Sequence, residues 1–174
     1  MYLVGVRVAL PPNEVDLYAL VLYSEAERDH HNRPLTFNGK IVFFRDIAHA
    51  TQVLALGDAG FRKHATAPSE LSSLYEPLKA LALVEHGDYD DAATIVNCGN
   101  ELLDFVAATG RTIPAQHRVS LEMLLNYATF DRDLSVYFDK ADGGRRAALD
   151  VLLWCFGAVW AGSIILEDSR PGWC

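Results

Sequence analysis

The spacing of the apolar residues changes near residue 45, and this change restricts the folds that the chain can adopt. Before it, apolar side chains alternate, and one face of the first extended run consists of Tyr2, Val4, Val6, Val8 and Leu10. After Asp46, apolar residues recur every three or four positions, as they do on helices that pack through one face. Strands followed by helices indicate the α+β fold class.

Three strand regions precede the change. The first is the run just described, which ends before Pro11 and Pro12. The second, residues 16–24, is apolar on both faces, as central strands are. The third, residues 35–44, contains Asn38-Gly39, a dipeptide typical of tight hairpin turns. The sequence therefore predicts an N-terminal meander of three or four antiparallel strands.

Residues that start and stop helices divide the remainder of the chain. A first helix is expected between Asp46 and Gly57, then a loop over residues 58–68 and a short helical turn capped by Ser69. Longer helices are expected over residues 77–87, 91–109, 112–128, 131–138 and 145–156. Gly157 and Gly162 suit breaks, and the segment after them, ending in SIILED, can form a last strand that returns to the sheet.

The helix over residues 91–109 shows the clearest division into two faces. Its apolar side consists of Ile95, Cys98, Leu102, Phe105 and Val106. Its opposite side carries four polar residues, which are Asn97, Asn100, Glu101 and Asp104. Since a surface helix turns its polar side to water, we expect all four polar residues to be exposed.

The chain is expected to form one domain, 1–174, because it contains no repeat, low-complexity tract or linker. Its formal net charge of −8 disfavours a nucleic-acid partner, since affinity for phosphate backbones needs cationic side chains.

The three cysteines are odd in number and lack C-x-x-C spacing, which favours a reducing compartment. No basic leader precedes the first strand, so we expect a cytoplasmic location.

Residues 151–166 form an uncharged and mostly apolar segment of sixteen residues. A membrane-spanning helix needs about 20 such residues, so the segment is too short to span the hydrocarbon core. We therefore predict no membrane association. The segment is expected to be buried and to contribute Val151, Leu152, Trp154 and Ile165 to the core.

Two clusters combine histidine with acidic residues. The first is Asp29-His30-His31, which reads as a polar loop because adjacent histidines rarely bind one metal ion unaided. The second is EHGDYDD, residues 85–91. The second cluster does not match a calcium-binding loop that starts at Asp88. Ala93 and Gly99 occupy the sixth and twelfth positions, where such a loop has glycine and glutamate. A helix end at Gly87 and an N-cap at Asp88 or Asp90 explain the second cluster without a ligand.

The sequence contains none of the common catalytic, metal-binding or phosphate-binding motifs, and we expect no metal and no cofactor. The interpretation we favour is a soluble, acidic, protein-binding or regulatory module without catalytic activity, which docks a protein partner or forms a homo-oligomer. The alternative is a small hydrolase that uses histidine with Asp or Cys partners. Weak candidates for its catalytic residues are His30, His31, His86 and Asp88.

Overall fold

A mixed β-sheet lies between two layers of helices in the computed structural model, which describes residues 1–8, 13–23, 32–63, 66–88, 90–130, 134–140 and 143–166. The strands are β1 (Tyr2–Arg7), β2 (Asp16–Leu22), β3 (Arg33–Pro34), β4 (Thr36–Phe37), β5 (Lys40–Phe44), β6 (Ser73–Tyr75) and β7 (Ser163–Leu166). The helices are α1 (Ala50–Leu56), α2 (Ala59–Arg62), α3 (Pro77–His86), α4 (Ala92–Ala108), α5 (Ala115–Thr129), α6 (Leu134–Lys140) and α7 (Gly144–Ala161). The predicted α+β class is confirmed.

The sheet combines an antiparallel centre with parallel strands at its two sides. β1 pairs antiparallel with β2, and β2 meets β5 where Tyr18 lies opposite Phe44. β3 continues along β2, and β4 pairs with the start of β5. β6 joins β1 in parallel, and β7 joins β5 in parallel. The predicted meander and the returning C-terminal strand are therefore both confirmed.

Alternation along the strands sends side chains into two separate cores. Leu17, Ala19 and Val21 of β2 pack with helices α3 to α7, whereas Leu20 of the same strand packs with α1 and with Phe61 of α2. The sheet is thus covered on both faces, which explains why β2 is apolar throughout.

The hairpin between β4 and β5 turns at Asn38 and Gly39, as predicted. Both residues have positive φ angles, 51° and 73°, which a two-residue type I′ turn requires. Asn and Gly are the residues that adopt this conformation at least cost, so the dipeptide fixes the register of Phe37 opposite Lys40.

Two predictions for residues 58–75 are wrong. Residues 58–68 do not form only a loop, because Asp58 accepts hydrogen bonds from the N–H groups of Gly60 and Phe61 and starts α2. Ser69 does not cap a helical turn, and the chain instead extends into β6. Burial of Phe61 stabilises the first of these elements, and pairing with β1 stabilises the second.

Several helix ends match their predicted signals, while two differ. Pro77 stands in the first turn of α3, and Gly87 ends that helix in the left-handed conformation. α4 is capped by Asp91, not by Asp88 or Asp90, because Asp91 alone accepts from the N–H of Thr94, at 3.2 Å. The predicted break at Gly157 is also wrong, since α7 continues through it to Ala161. Phe156 and Ala158, on either side of Gly157, pack in the larger core.

The apolar segment 151–166 packs into the larger core, as expected. Val151 and Leu152 are fully buried, and Trp154 and Ile165 are partly buried against the same cluster. Among the helices of the described ranges, none combines the length and hydropathy needed to cross a membrane.

Candidate functional site

The polar side of α4 is not uniformly exposed, which corrects the prediction from its helical pattern. Asn97 and Asn100 face solvent as expected. Glu101 and Asp104, however, retain only 7% and 6% of their accessible surface. The C-terminal half of α4 lies against β3, so residues that would face water on an isolated helix are covered there by the sheet.

Asp104 is held by a residue from the edge of the sheet. The side-chain N–H of Asn32, just before β3, donates a 2.9 Å hydrogen bond to Oδ2 of Asp104. This bond joins the sheet to α4 over a separation of 72 positions along the chain. A helical wheel contains no information about such a neighbour, so burial of Asp104 could not be read from the pattern of α4.

Glu101 lies beside Tyr75, which β6 places at the boundary between the sheet and α4. The Tyr75 hydroxyl lies close to the Glu101 carboxyl group, while Oε2 of Glu101 is buried and has no hydrogen-bond partner among the described residues. Burial raises the pKa of Glu101 to about 7, the neighbouring Tyr75 hydroxyl opposes this rise, and the charge of Asp104 adds to it. Glu101 can therefore exchange a proton near neutral pH.

The two buried thiols of the larger core, Cys98 and Cys155, are weak nucleophiles. Burial raises the pKa of Cys98 to about 12, with smaller contributions from Cys155 and Glu101. Burial likewise raises the pKa of Cys155 to about 11. Both cysteines are free, and both stay protonated at neutral pH, where a thiol reacts slowly.

A cavity of about 470 Å³ opens between α3, α7 and the sheet, with Glu101 and Cys98 of α4 on its wall. Almost all of its lining is apolar, and its aromatic lining consists of Phe43, Tyr75, Phe105, Phe156 and Trp160. At the rim, Leu153 and Trp160 of α7 are 55% and 57% exposed. This volume lies in the range of small-molecule sites, which are usually apolar with a few placed polar groups.

Glu101 is the single carboxylate on the cavity wall within the described part of the chain, and no lysine, arginine or histidine lines that wall. The other polar groups there are the hydroxyl of Tyr75, the thiol of Cys98 and the indole of Trp160. The cavity can thus enclose an apolar body and offer it one acidic group. Among the described residues, the cavity does not place a nucleophile beside a basic side chain, as hydrolytic catalysis commonly requires.

The histidine and aspartate predicted as site residues lie elsewhere. His86 is exposed at the end of α3, with its Nδ1 atom 2.7 Å from the carbonyl oxygen of Ala82. Asp88 is exposed and accepts a hydrogen bond from the N–H of Asp90. Neither residue lines the cavity, and His30 and His31 lie outside the described residues. Within the described ranges, no three His, Cys, Asp or Glu residues converge on a point where a metal ion could bind.

No family model, curated protein or solved structure matches this chain. Support for the candidate site therefore comes from its geometry and not from a related protein.

Sequence reasoning missed Glu101 and Tyr75, although one signal pointed to Glu101. Glu101 stands four positions before the core residue Phe105, and such a spacing places two side chains on the same side of a helix. For Tyr75 no comparable signal existed, because β6 is too short to show alternation.

Proposed function

We propose that this protein binds a small, mainly apolar molecule in the cavity between α3, α7 and the sheet. The observation that supports the proposal is the combination of an apolar cavity with one buried acidic residue, Glu101, on its wall. A ligand that enters removes apolar surface from water, and each buried CH₂ group contributes about 0.8 kcal/mol. The acidic group then orients the ligand's polar end, as single polar groups do in apolar pockets.

Gly157 offers a way to close the cavity without disturbing the core. It lines the cavity in the middle of α7, and a Cβ atom built there meets no atom within 4 Å. Gly157→Leu should therefore place a side chain in the cavity, and Gly157→Ala is the matched control that adds only one methyl group. Both substitutions favour the helix, because glycine is a poor helix former.

The experiment is calorimetric titration with probes that share a phenylbutyl group, such as 4-phenylbutan-1-ol and 4-phenylbutylamine. We expect saturable binding to the wild type and to Gly157→Ala, and binding weakened at least about tenfold in Gly157→Leu, a loss of roughly 1.4 kcal/mol. Absence of binding to the wild type by every probe, or equal binding to all three proteins, would contradict the proposal.

A second proposal is that the protein docks a protein partner or another copy of itself. It is supported by an exposed apolar stripe on α5 and just beyond it, formed by Val119, Met123 and Phe130. Apolar surface of this kind often marks an interaction site. Sedimentation of the wild type and of Met123→Glu tests the homo-oligomer: a dimer that the substitution dissociates would support it, and monomers in both cases would contradict it.

The hydrolase hypothesis has less support. Its described candidates, His86 and Asp88, are exposed near the end of α3 and are separate from the cavity. The cytoplasmic location also remains a proposal, and its support is that Cys98 and Cys155 are free thiols, as expected in a reducing compartment.

A further inference from the structure

We propose that the ligand of the cavity is an organic cation, with an ammonium group that pairs with Glu101 and an aromatic or aliphatic body that fills the apolar space. This inference rests on the proposed function, since it names the chemical class of the molecule that the cavity binds. Three observations support it: the unpartnered oxygen of Glu101, the sign of the local charge and the aromatic wall.

The first observation concerns hydrogen bonding. Glu101 is more than nine-tenths buried, and its Oε2 atom has no hydrogen-bond donor among the described residues. A buried acceptor without a donor is costly, because it has lost water and gained nothing in exchange. Oε2 is itself covered by protein atoms, so an ammonium group in the cavity stabilises the buried carboxylate through its positive charge and not by bonding to this oxygen.

The second observation is the sign of the charge around the cavity. Asp104, one turn further along α4, adds its negative charge to that of Glu101. No lysine, arginine or histidine of the described ranges lines the cavity. The formal net charge of the whole chain is −8. An anionic ligand would meet repulsion from Glu101 that no cation on the described cavity wall offsets, whereas a cation would meet attraction, which low local polarity strengthens.

The third observation is the aromatic wall. Phe43 of β5 and Phe105 of α4 stack with their ring centroids 5.7 Å apart, and both line the cavity. Tyr75, Phe156 and Trp160 add further rings. The faces of aromatic rings carry partial negative charge and attract ammonium groups, so rings and a carboxylate together are typical of sites for organic cations.

Three other titratable groups of the described ranges face Glu101 and do not compete with it near neutral pH. Tyr2 of β1, Tyr75 of β6 and Cys98 of α4 face Glu101, and burial raises the pKa of each of them. They are therefore neutral at pH 7. Asp104 also faces Glu101 and is held by its hydrogen bond to Asn32. The pH dependence of cation binding should accordingly follow the ionisation of Glu101, whose pKa is about 7 in the free protein.

The test uses three probes of nearly equal size and different charge: 4-phenylbutylamine, 4-phenylbutan-1-ol and 4-phenylbutyrate. At about pH 8 we expect the amine to bind the wild type at least about tenfold more tightly than the alcohol, because close charge pairs couple by more than 1.4 kcal/mol. The carboxylate should bind most weakly. In Glu101→Gln, the amine should lose its advantage over the alcohol.

The matched control is Glu122→Gln, which removes one negative charge from an exposed position on α5. It should keep the preference for the amine, which separates a local pairing from the effect of net charge. Binding of the alcohol to Glu101→Gln also shows that this variant is folded.

A second readout needs no variant. Lowering the pH from about 8 to about 6 protonates Glu101, so amine affinity should fall by several-fold while alcohol affinity does not fall.

The outcomes separate the two proposals. If none of the probes binds, the proposed small-molecule site itself fails. If the alcohol binds and Gly157→Leu abolishes this binding, but the amine has no advantage, the site stands and the cation inference is overturned. Persistence of the amine preference in Glu101→Gln, or amine binding that is equal at both pH values, would also overturn it.

Discussion

Tyr75 of β6 places its hydroxyl close to the carboxyl group of Glu101 of α4, across the boundary between the sheet and the helices. Parallel pairing with β1 places Tyr75 opposite Val6. A three-residue strand thus determines where the acidic group of the cavity is held. Both Tyr75 and Glu101 line the cavity, so this contact joins the fold to the candidate site.

Replacing Glu101 should show how much the burial of its negative charge lowers the free energy of unfolding. Its pKa is about 7 in the folded protein and 4.5 ordinarily, so the folded state binds the proton more tightly than the unfolded state does. The contribution of Glu101 to stability should therefore fall as the pH rises from about 4.5 to about 7, by on the order of 3 kcal/mol.

Glu101→Gln lacks this titration. We expect the variant to be more stable than the wild type at pH 8 and to lose that advantage at pH 4. Denaturant unfolding at both pH values measures the difference, with Glu122→Gln as the exposed control. An advantage of Glu101→Gln that does not change with pH would contradict the pKa of Glu101.

The two sides of α4 should respond differently to truncation. Leu102 is buried in the larger core, and Leu102→Ala should cost about 2–5 kcal/mol because it leaves a cavity. Asn100 is exposed, and Asn100→Ala should change stability by no more than about 0.5 kcal/mol. Denaturant midpoints of the two variants test this, and equal losses would mean that the facing of α4 is misassigned.

Glycines inside two helices should also differ. Gly157→Ala should stabilise the protein by about 0.5–1 kcal/mol, because alanine favours the helix and the added Cβ meets open space. At Gly99 of α4, an added Cβ would lie 2.5 Å from Cδ2 of Leu125 on α5. Gly99→Ala should therefore gain less than Gly157→Ala in thermal unfolding, and an equal gain would show that α5 moves aside freely.

The buried thiols should resist modification in the native state. Burial holds the pKa values of Cys98 and Cys155 near 12 and 11, so thiolate is scarce at pH 8. In a Cys174→Ser background, a disulfide reagent should react slowly with the folded protein and quickly after denaturation. Rapid reaction of one thiol per folded chain would show that Cys98 or Cys155 is more accessible than the structure indicates.

Local signals in the sequence predicted the parts of the fold that local chemistry determines. Asn38-Gly39 specified a hairpin because few residues adopt positive φ, and Gly87 ended α3 for the same reason. β6 gave no such signal: it has three residues, and its partner Val4 lies 69 positions before Ser73. Pairing at that distance depends on the assembled sheet, which a short window of sequence does not contain.

The candidate site was less predictable than the fold for a related reason. Asn97 and Glu101 lie on the same side of α4, four positions apart, yet only Glu101 is covered by the sheet. The burial of each residue depends on where the neighbouring layer ends, not on the helix itself. The residues of the histidine clusters were predicted as catalytic candidates because histidine and aspartate are common in catalytic sites. The cavity instead combines apolar residues with a single glutamate.

The central claim is that the cavity beside Glu101 binds a ligand, and methyl NMR spectra recorded during a titration with 4-phenylbutylamine test it most directly. Methyl groups of Val6, Leu17 and Leu102 line the cavity, whereas those of Leu3 and Leu20 lie in the core on the other face of the sheet. We expect saturable shifts for the first group and little change for the second. Absence of any saturable shift, or shifts confined to Leu3 and Leu20, would contradict the claim.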